Sequence, residues 1–113
     1  GTELCTEVAS VADEVNRYEC VEDLDDERVS GDAVVTVAEV DGSSSPTEMA
    51  GTLVIENDGG RWAGDWTGIE GSGLHVVDGV LVGSGDYEGL QFTGRWEFVD
   101  WPATVTGTIE STS

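Results

Sequence analysis

The chain contains no lysine, and only four of its 113 residues are basic. Without lysine, catalysis through a lysine Schiff base and lysine-assisted phosphate binding are excluded. Acidic residues number 24, giving a formal net charge of −20, and a field of that sign repels nucleic acids and anionic membrane surfaces. We interpret the acidity as the soluble surface of a salt-adapted or exported protein. Capture of a cation or of a basic partner is the alternative.

Long apolar runs are also absent. No stretch approaches the roughly 18 consecutive apolar residues of a membrane-spanning helix, so no insertion into a membrane is expected. No signal peptide is recognisable, so an exported protein would be present in its mature or trimmed form. The length of 113 residues predicts a single domain, 1–113, with one modest core.

Cysteine is scarce, with two residues, Cys5 and Cys20. No further cysteine or histidine stands near them at the spacing of metal ligands, and no metal site is predicted. A disulfide is the simplest interpretation, and it favours a secreted or extracytoplasmic location. Closing this loop would stabilise the fold by about 3 kcal/mol. Two buried free thiols are the alternative, and they would be compatible with a cytoplasmic location.

The N-terminal segment 1–20 is compatible with two structures. Its apolar residues recur at spacings of three and four, which is typical of an amphipathic helix. A hairpin turning at Ala12-Asp13 would instead set Cys5 directly opposite Cys20 and place valines on strands, where β-branched side chains are favoured. We favour the hairpin.

The rest of the chain alternates β-branched and aromatic segments with turns. The acidic stretch Glu22–Glu27 lacks the glycine and glutamate positions of a calcium loop and is interpreted as a solvated turn. Strands are predicted at 33–40, 49–56, 61–68, 75–82, 90–98 and 103–110. With one or two strands from the N-terminus, the fold class is all-β, a small antiparallel closed barrel of about seven to eight strands. We divide it into an N-terminal hairpin with an acidic loop, 1–30, and the barrel strands, 31–113.

The segment His75–Phe98 joins two long predicted strands through a glycine-rich corner, Gly83–Gly89, and the other strands are expected to pair around it. Its first strand is apolar on both faces, as in a barrel wall. The dipeptide Asp78-Gly79 is compatible with a hairpin turn. The unbroken β pattern around it favours a continuous strand with a bulge at Gly79.

Within this segment, GVLVGSGDYEGLQFTGRWEF resembles the allene oxide cyclase barrel-like superfamily, which includes dirigent proteins and small actinobacterial barrel cyclases. The resemblance covers 50–110, and the ending TVTGTIE is similar to acidic secreted proteins of actinobacteria. It implies a lumen that binds an apolar, flexible substrate and folds it for ring closure without a cofactor. It also implies a homo-oligomer, a dimer or a trimer.

Three residues are the candidates for catalysis. His75, the only histidine, would act as a general acid or base at the barrel mouth, or serve as a plain polar strand residue. Tyr87 would donate a hydrogen bond into the cavity or plug the barrel end. Arg95 would pair with an interior acid such as Asp78 or with a surface carboxylate. Phosphate-binding and hydrolase patterns such as G-x-S-x-G are absent.

Three tryptophans are the candidates for ligand binding. Trp62, Trp66 and Trp96 would form a stacking wall for a flat apolar ligand, or fill the core with large side chains. Trp66 and Trp96 are the better candidates because each has a glycine near it that opens space.

Two functions follow from these observations. The first is an extracytoplasmic barrel that binds a small apolar ligand in its lumen, without catalysis. The second is a cofactor-free cyclase or isomerase that promotes ring closure of a polyene, a polyketide or an oxidised lipid. Neither function requires a metal or a nucleic-acid partner.

Overall fold

In a computed structural model, the chain forms a closed barrel of eight antiparallel strands. The structure describes residues 1–8, 16–24, 26–41, 47–99 and 102–112. The strands are β1 Thr2–Val8, β2 Asn16–Asp23, β3 Gly31–Asp41, β4 Thr47–Asn57, β5 Gly60–Gly71, β6 Leu74–Gly85, β7 Leu90–Phe98 and β8 Ala103–Ser111. Each strand pairs with its neighbours in sequence, and β8 pairs with β1. The predicted fold class is confirmed.

The N-terminal segment is a β-hairpin, as we favoured. Strands β1 and β2 pair in a register that sets Cys5 opposite Cys20, and the two sulfurs form a disulfide. The helical alternative is therefore wrong for the described part of the segment, which consists of two paired strands. The predicted turn at Ala12-Asp13 lies outside the described residues. Both strands of the hairpin belong to the closed barrel wall.

The barrel closes through a short seam between β1 and β8. The two strands pair only at Thr2 with Thr104 and at Glu3 with Ala103. Two backbone hydrogen bonds extend this seam, because Gly1 and Val105 each donate an N–H to the other's carbonyl oxygen, at 3.1 and 2.9 Å. Since β4 and β5 pair along nearly their whole length, the seam is a short ladder by comparison.

Strand β6 runs through Gly79 without a break in register against either neighbour. The predicted bulge at Gly79 is therefore wrong; a shift in register lies instead in β3, between Val37 and Glu39. Gly79 provides space rather than a kink. A methyl group there would lie 3.3 Å from the Trp96 ring and 3.4 Å from Cβ of Trp66.

The glycine-rich corner between β6 and β7 starts later than predicted. Strand β6 continues to Gly85, and the turn follows it. Gly85 and Gly89 have φ angles of 68° and 86°, and this left-handed region is readily adopted by glycine. The two glycines therefore reverse the chain direction without strain.

Aromatic side chains fill one end of the barrel, which we call the closed end. Trp62 is fully buried and stacks on Tyr87 with ring centroids 5.1 Å apart. The short 3₁₀ helix Glu27–Val29 covers this end, and the Trp62 indole donates a hydrogen bond of 2.6 Å to the Arg28 carbonyl oxygen. Tyr87 donates its hydroxyl proton to Oδ1 of Asn57 at 2.7 Å. The closed end is therefore a packed core.

Candidate functional site

The opposite end of the barrel contains a cavity of about 380 Å³. Its wall is mostly apolar. Seven strands, β1 to β7, and the residue after β7 contribute its side chains: Cys5, Tyr18, Val35, Val37, Met49, Leu53, Trp66, Val77, Trp96, Phe98 and Val99. Val99 exposes 66% of its surface, so the cavity reaches the surface at this end, which we call the mouth.

Two tryptophans form the aromatic wall of the cavity. Trp66 follows the inward alternation of β5, and its indole nitrogen donates to the Thr52 carbonyl oxygen at 3.1 Å. Trp96 follows the inward alternation of β7. Its ring lies over Gly94, where an added methyl group would approach the ring to 2.8 Å. Glycine at position 94 thus lets the indole lie close to the barrel wall.

A pair of glutamates lies inside the barrel beside Trp96. Glu3 and Glu22 are directly opposite each other on β1 and β2, and their exposures are only 5% and 2%. The Trp96 indole donates a hydrogen bond of 2.9 Å to Oε1 of Glu22. Oε2 of Glu22 is buried without a hydrogen-bond partner among the described residues. We refer to Glu3 and Glu22 as the acid pair.

The acid pair holds protons more tightly than ordinary carboxyl groups. Burial, reinforced by the contact with Glu22 and its like charge, raises the pKa of Glu3 to about 10. Burial also raises the pKa of Glu22, although its interactions with Glu3 and Trp96 oppose this rise. Two adjacent buried carboxyl groups titrate as a unit. The pair therefore retains at least one proton at neutral pH, and through Glu3 it presents that proton to the cavity wall.

The disulfide lies next to the acid pair on the same inner face of the hairpin. Ligand atoms of Glu3, Cys5 and Cys20 all lie within 4.8 Å of one another. Zinc sites use cysteine as the thiolate, and both sulfurs here are bonded to each other. In the disulfide form neither sulfur can act as a thiolate ligand, and Glu3 is a carboxyl group next to the disulfide.

His75 lies at the mouth, where it pairs with Phe98 across strands β6 and β7. The two rings stack with centroids 4.6 Å apart and an angle of 4° between their planes. His75 is half-buried, lines the cavity, and its Nδ1 has no hydrogen-bond partner among the described residues. It is the one predicted catalytic residue that the structure places on the cavity.

The other two predicted catalytic residues lie elsewhere. Tyr87 is buried in the closed end against Trp62. Arg95 is exposed on the outer face of β7, where its Nε lies 2.8 Å from Oδ1 of Asp78. Among the predicted ligand-binding residues, Trp66 and Trp96 line the cavity, whereas Trp62 belongs to the packed end. The structure therefore brings together His75, Trp66 and Trp96.

The sequence reasoning missed the acid pair, although a signal for it was present. Side chains on one strand face repeat every second residue. If Cys5 faces Cys20 across a hairpin, then the residues two positions further out, Glu3 and Glu22, must also face each other on that side. The predicted disulfide thus already implied two carboxyl groups on the inner face.

In comparisons with known proteins, the chain matches no family model, no curated protein and no solved structure. Within the described ranges, no helix has the length and apolar character needed to cross a membrane. Function is therefore inferred from the cavity and the acid pair.

Proposed function

We propose that this protein is an extracytoplasmic barrel that binds a small, largely apolar molecule in its lumen. The observation that carries the proposal is the cavity of about 380 Å³, whose wall combines apolar and aromatic side chains with the buried carboxyl of Glu3. Ligand sites in proteins have volumes of about 300 to 1,000 Å³ and consist of apolar walls with a few oriented polar groups. The cavity meets both criteria.

The contrast between the two ends of the barrel supports this proposal. At the closed end, Trp62, Tyr87 and Phe92 occupy the lumen and leave a packed core. At the mouth, the shorter side chains of Val37 and Val77 stand where a further aromatic ring would fill the space. An apolar cavity of this kind suits an apolar ligand, because the ligand replaces water along its wall.

The extracytoplasmic location is part of the same proposal. The disulfide between Cys5 and Cys20 favours it, because disulfides persist in oxidising compartments and are rare in the cytosol. The resemblance to acidic secreted proteins at TVTGTIE points the same way. A dimer or trimer remains a prediction from the barrel resemblance, and light scattering coupled to size-exclusion chromatography would test it.

A cavity-filling variant tests ligand binding. Val77 lines the cavity, so Val77→Trp would fill part of it. Val80 points outward from the same strand and is 46% exposed, so Val80→Trp is the matched control. We expect the neutral fluorophore N-phenyl-1-naphthylamine to bind to the wild type and the control, and to be displaced by decanol. Binding to Val77→Trp should fall at least tenfold. Equal binding to all three proteins would contradict the proposal.

Ring closure is the second candidate function, and the acid pair favours it. General acid catalysis requires a carboxyl group that stays protonated at the working pH, and burial raises the pKa of Glu3 to about 10. Glu3 would donate its proton to the oxygen of a bound unsaturated epoxide as the ring opens. The cyclised cationic intermediate would then lose a proton to Glu3, so the reaction consumes no proton overall.

Incubation with the methyl ester of an unsaturated fatty-acid epoxide, which carries no carboxylate, tests this second function. We expect the wild type to give a cyclic product enriched in one enantiomer, as resolved by chiral gas chromatography. Removal of a general acid typically slows a reaction by about 10² to 10⁴-fold, so Glu3→Gln should slow product formation to that extent. A racemic product formed at the same rate with and without protein would exclude cyclisation of this substrate class.

A further inference from the structure

In the described part of the chain, two acidic side chains point into the lumen and no arginine accompanies them. Glu3 and Glu22 point inward from the hairpin and are buried. Arg28, Arg61 and Arg95 are exposed, and the first and the last bind aspartates on the surface. Among the side chains that the structure describes, no arginine faces the lumen. A bound molecule could therefore supply the positive charge that these three arginines do not bring to the buried acids.

The acid pair also has more hydrogen-bond acceptors than the surrounding protein satisfies. The Trp96 indole donates to Oε1 of Glu22 at 2.9 Å, but Oε2 of Glu22 is buried without a partner in the described part of the chain. Glu3, which interacts with Glu22, lines the cavity. An ammonium group would supply N–H donors to these oxygens. It would also supply a positive charge to balance an adjacent carboxylate.

The aromatic wall suits a cation as well as an apolar surface. Trp66, Trp96 and Tyr18 line the same cavity as Glu3. The face of an aromatic ring attracts an ammonium group, most strongly for tryptophan. Aromatic rings next to a carboxylate therefore favour a cationic ligand over a neutral one of equal size. A carboxylate ligand would gain no such attraction, and its charge would oppose ionisation of the acid pair.

We propose that the ligand of this cavity is an amphiphilic amine, whose ammonium group binds at Glu3 and the Trp96 indole and whose apolar body extends toward Met49 and Phe98 at the mouth. This inference rests on the ligand binding proposed above and specifies the class of ligand. A positive charge next to Glu3 favours the ionised form of the acid pair. Binding of an alkylammonium ion therefore releases the proton that the empty pair holds.

Few of the described titratable groups near Glu3 could release the proton. From β2, Glu22 lies directly opposite Glu3 and Tyr18 lines the same cavity, and from β6, His75 lies further out at the mouth. Strand β7 presents Trp96 inward, whereas its charged residues Arg95 and Glu97 are exposed on the outer face. In the proposed complex the ammonium group contacts Glu3, whereas His75 lies further out, so we assign the released proton to the acid pair.

Three probes with the same alkyl chain test the amine proposal: octylamine, octanol and octanoate. Each is titrated against the complex of the wild-type protein with N-phenyl-1-naphthylamine, and displacement of this fluorophore is measured. We expect octylamine to bind at least tenfold more tightly than octanol, and octanoate to bind most weakly. Glu3→Gln, which keeps the shape of the side chain but removes its charge, should reduce the preference for octylamine over octanol to less than threefold.

Two control variants separate the lumen from the acidic surface. Glu97→Gln removes an exposed carboxylate adjacent to Trp96 in sequence and should leave the preference for octylamine unchanged. Val77→Trp should weaken all three probes. If octylamine binds equally well to Val77→Trp, it binds at the surface and the amine proposal is overturned. If octanol and octylamine bind the lumen with equal affinity, the amine proposal fails while ligand binding stands. If none of the probes binds the wild type, both proposals fail.

Proton release provides a second test that needs no variant. Isothermal titration calorimetry in two buffers of different ionisation enthalpy, at neutral pH, gives the number of protons released per ligand bound. We expect about one proton for octylamine and none for octanol, because only the ammonium group shifts the ionisation of the acid pair. Release of no proton on binding of octylamine would overturn the proposed contact with Glu3.

Discussion

Glu22 receives one hydrogen bond from the Trp96 indole and has no arginine beside it among the described residues. A buried carboxylate without a balancing charge favours its protonated form, and a second carboxyl group nearby strengthens that preference. The absence of a balancing charge among the described residues thus helps the acid pair to keep a proton, and the same absence leaves a place for an ammonium ligand. The chemistry of this cavity depends on these two residues and on the indole that orients them.

The first prediction concerns the pH dependence of stability. The pKa of Glu3 rises from 4.5 to about 10 on folding, so the folded state keeps a proton that the unfolded chain loses over this range. Stability is therefore greatest below the lower value and falls as pH rises, by at most about 1.4 kcal/mol per pH unit. We expect the free energy of unfolding in urea to decrease by several kcal/mol between about pH 5.5 and pH 8.5.

Two variants separate the acid pair from the other acidic residues. Glu3→Gln does not titrate, so its stability should depend less on pH and should exceed that of the wild type at the alkaline end. Glu97→Gln, at an exposed position, should keep the slope of the wild type. An equal slope in all three proteins would show that Glu3 ionises normally in the folded state.

At the scale of secondary-structure elements, the N-terminal hairpin combines two functions. It carries the acid pair on its inner face, and it forms the short seam with β8 that closes the barrel. The disulfide joins its two strands directly beside Glu3. Because the seam contains few pairs, β1 is held in the barrel mainly by β2, to which the disulfide links it.

The second prediction concerns this disulfide. A link that closes a loop of this length stabilises a fold by about 3 kcal/mol, so Cys5→Ala/Cys20→Ala should lose roughly that free energy of unfolding in urea. Wild-type protein treated with dithiothreitol should be destabilised to a similar extent. The double variant should not respond to dithiothreitol. A response in the double variant would mean that the reagent acts elsewhere than on the disulfide.

The strands could be predicted from the sequence because alternation and turn residues are local signals. A period of two residues places Trp62, Gly64 and Trp66 on one face of a strand, but it does not tell which face points inward. The role of Gly79 could not be predicted either, because one sequence cannot distinguish a glycine that bends a strand from one that makes room for a ring on a neighbouring strand. The packing of Trp96 against Gly79 decides this.

The site was harder to predict because it depends on how the strands are staggered. Glu22 lies 74 positions before its hydrogen-bond partner Trp96 in sequence, and no local pattern links the two. Tyr87 and His75 both belong to the segment that suggested a single corner site, yet they lie at opposite ends of the barrel. The stagger between neighbouring strands determines which residues lie at the same level of the barrel. This stagger cannot be read from the sequence of a single strand.

At the scale of the whole molecule, the charge of −20 acts on the fold and on its ligands together. Like charges on a small barrel repel one another and oppose the compact state. The same field attracts cations toward the mouth and keeps anions away. An acidic surface around an acid-lined lumen thus favours positively charged ligands at both long and short range.

The third prediction follows from this repulsion. Salt screens exposed charges over about 10 Å at 0.1 M ionic strength, so raising sodium chloride from about 20 mM to about 500 mM at neutral pH should raise the melting temperature. The sequence pI is about 4.1, and near that pH the net charge disappears. The same addition of salt near pH 4 should therefore raise the melting temperature much less. An equal increase at both pH values would assign the effect to preferential exclusion of salt from the surface. Repulsion between the acidic side chains would then contribute little to the stability of the barrel.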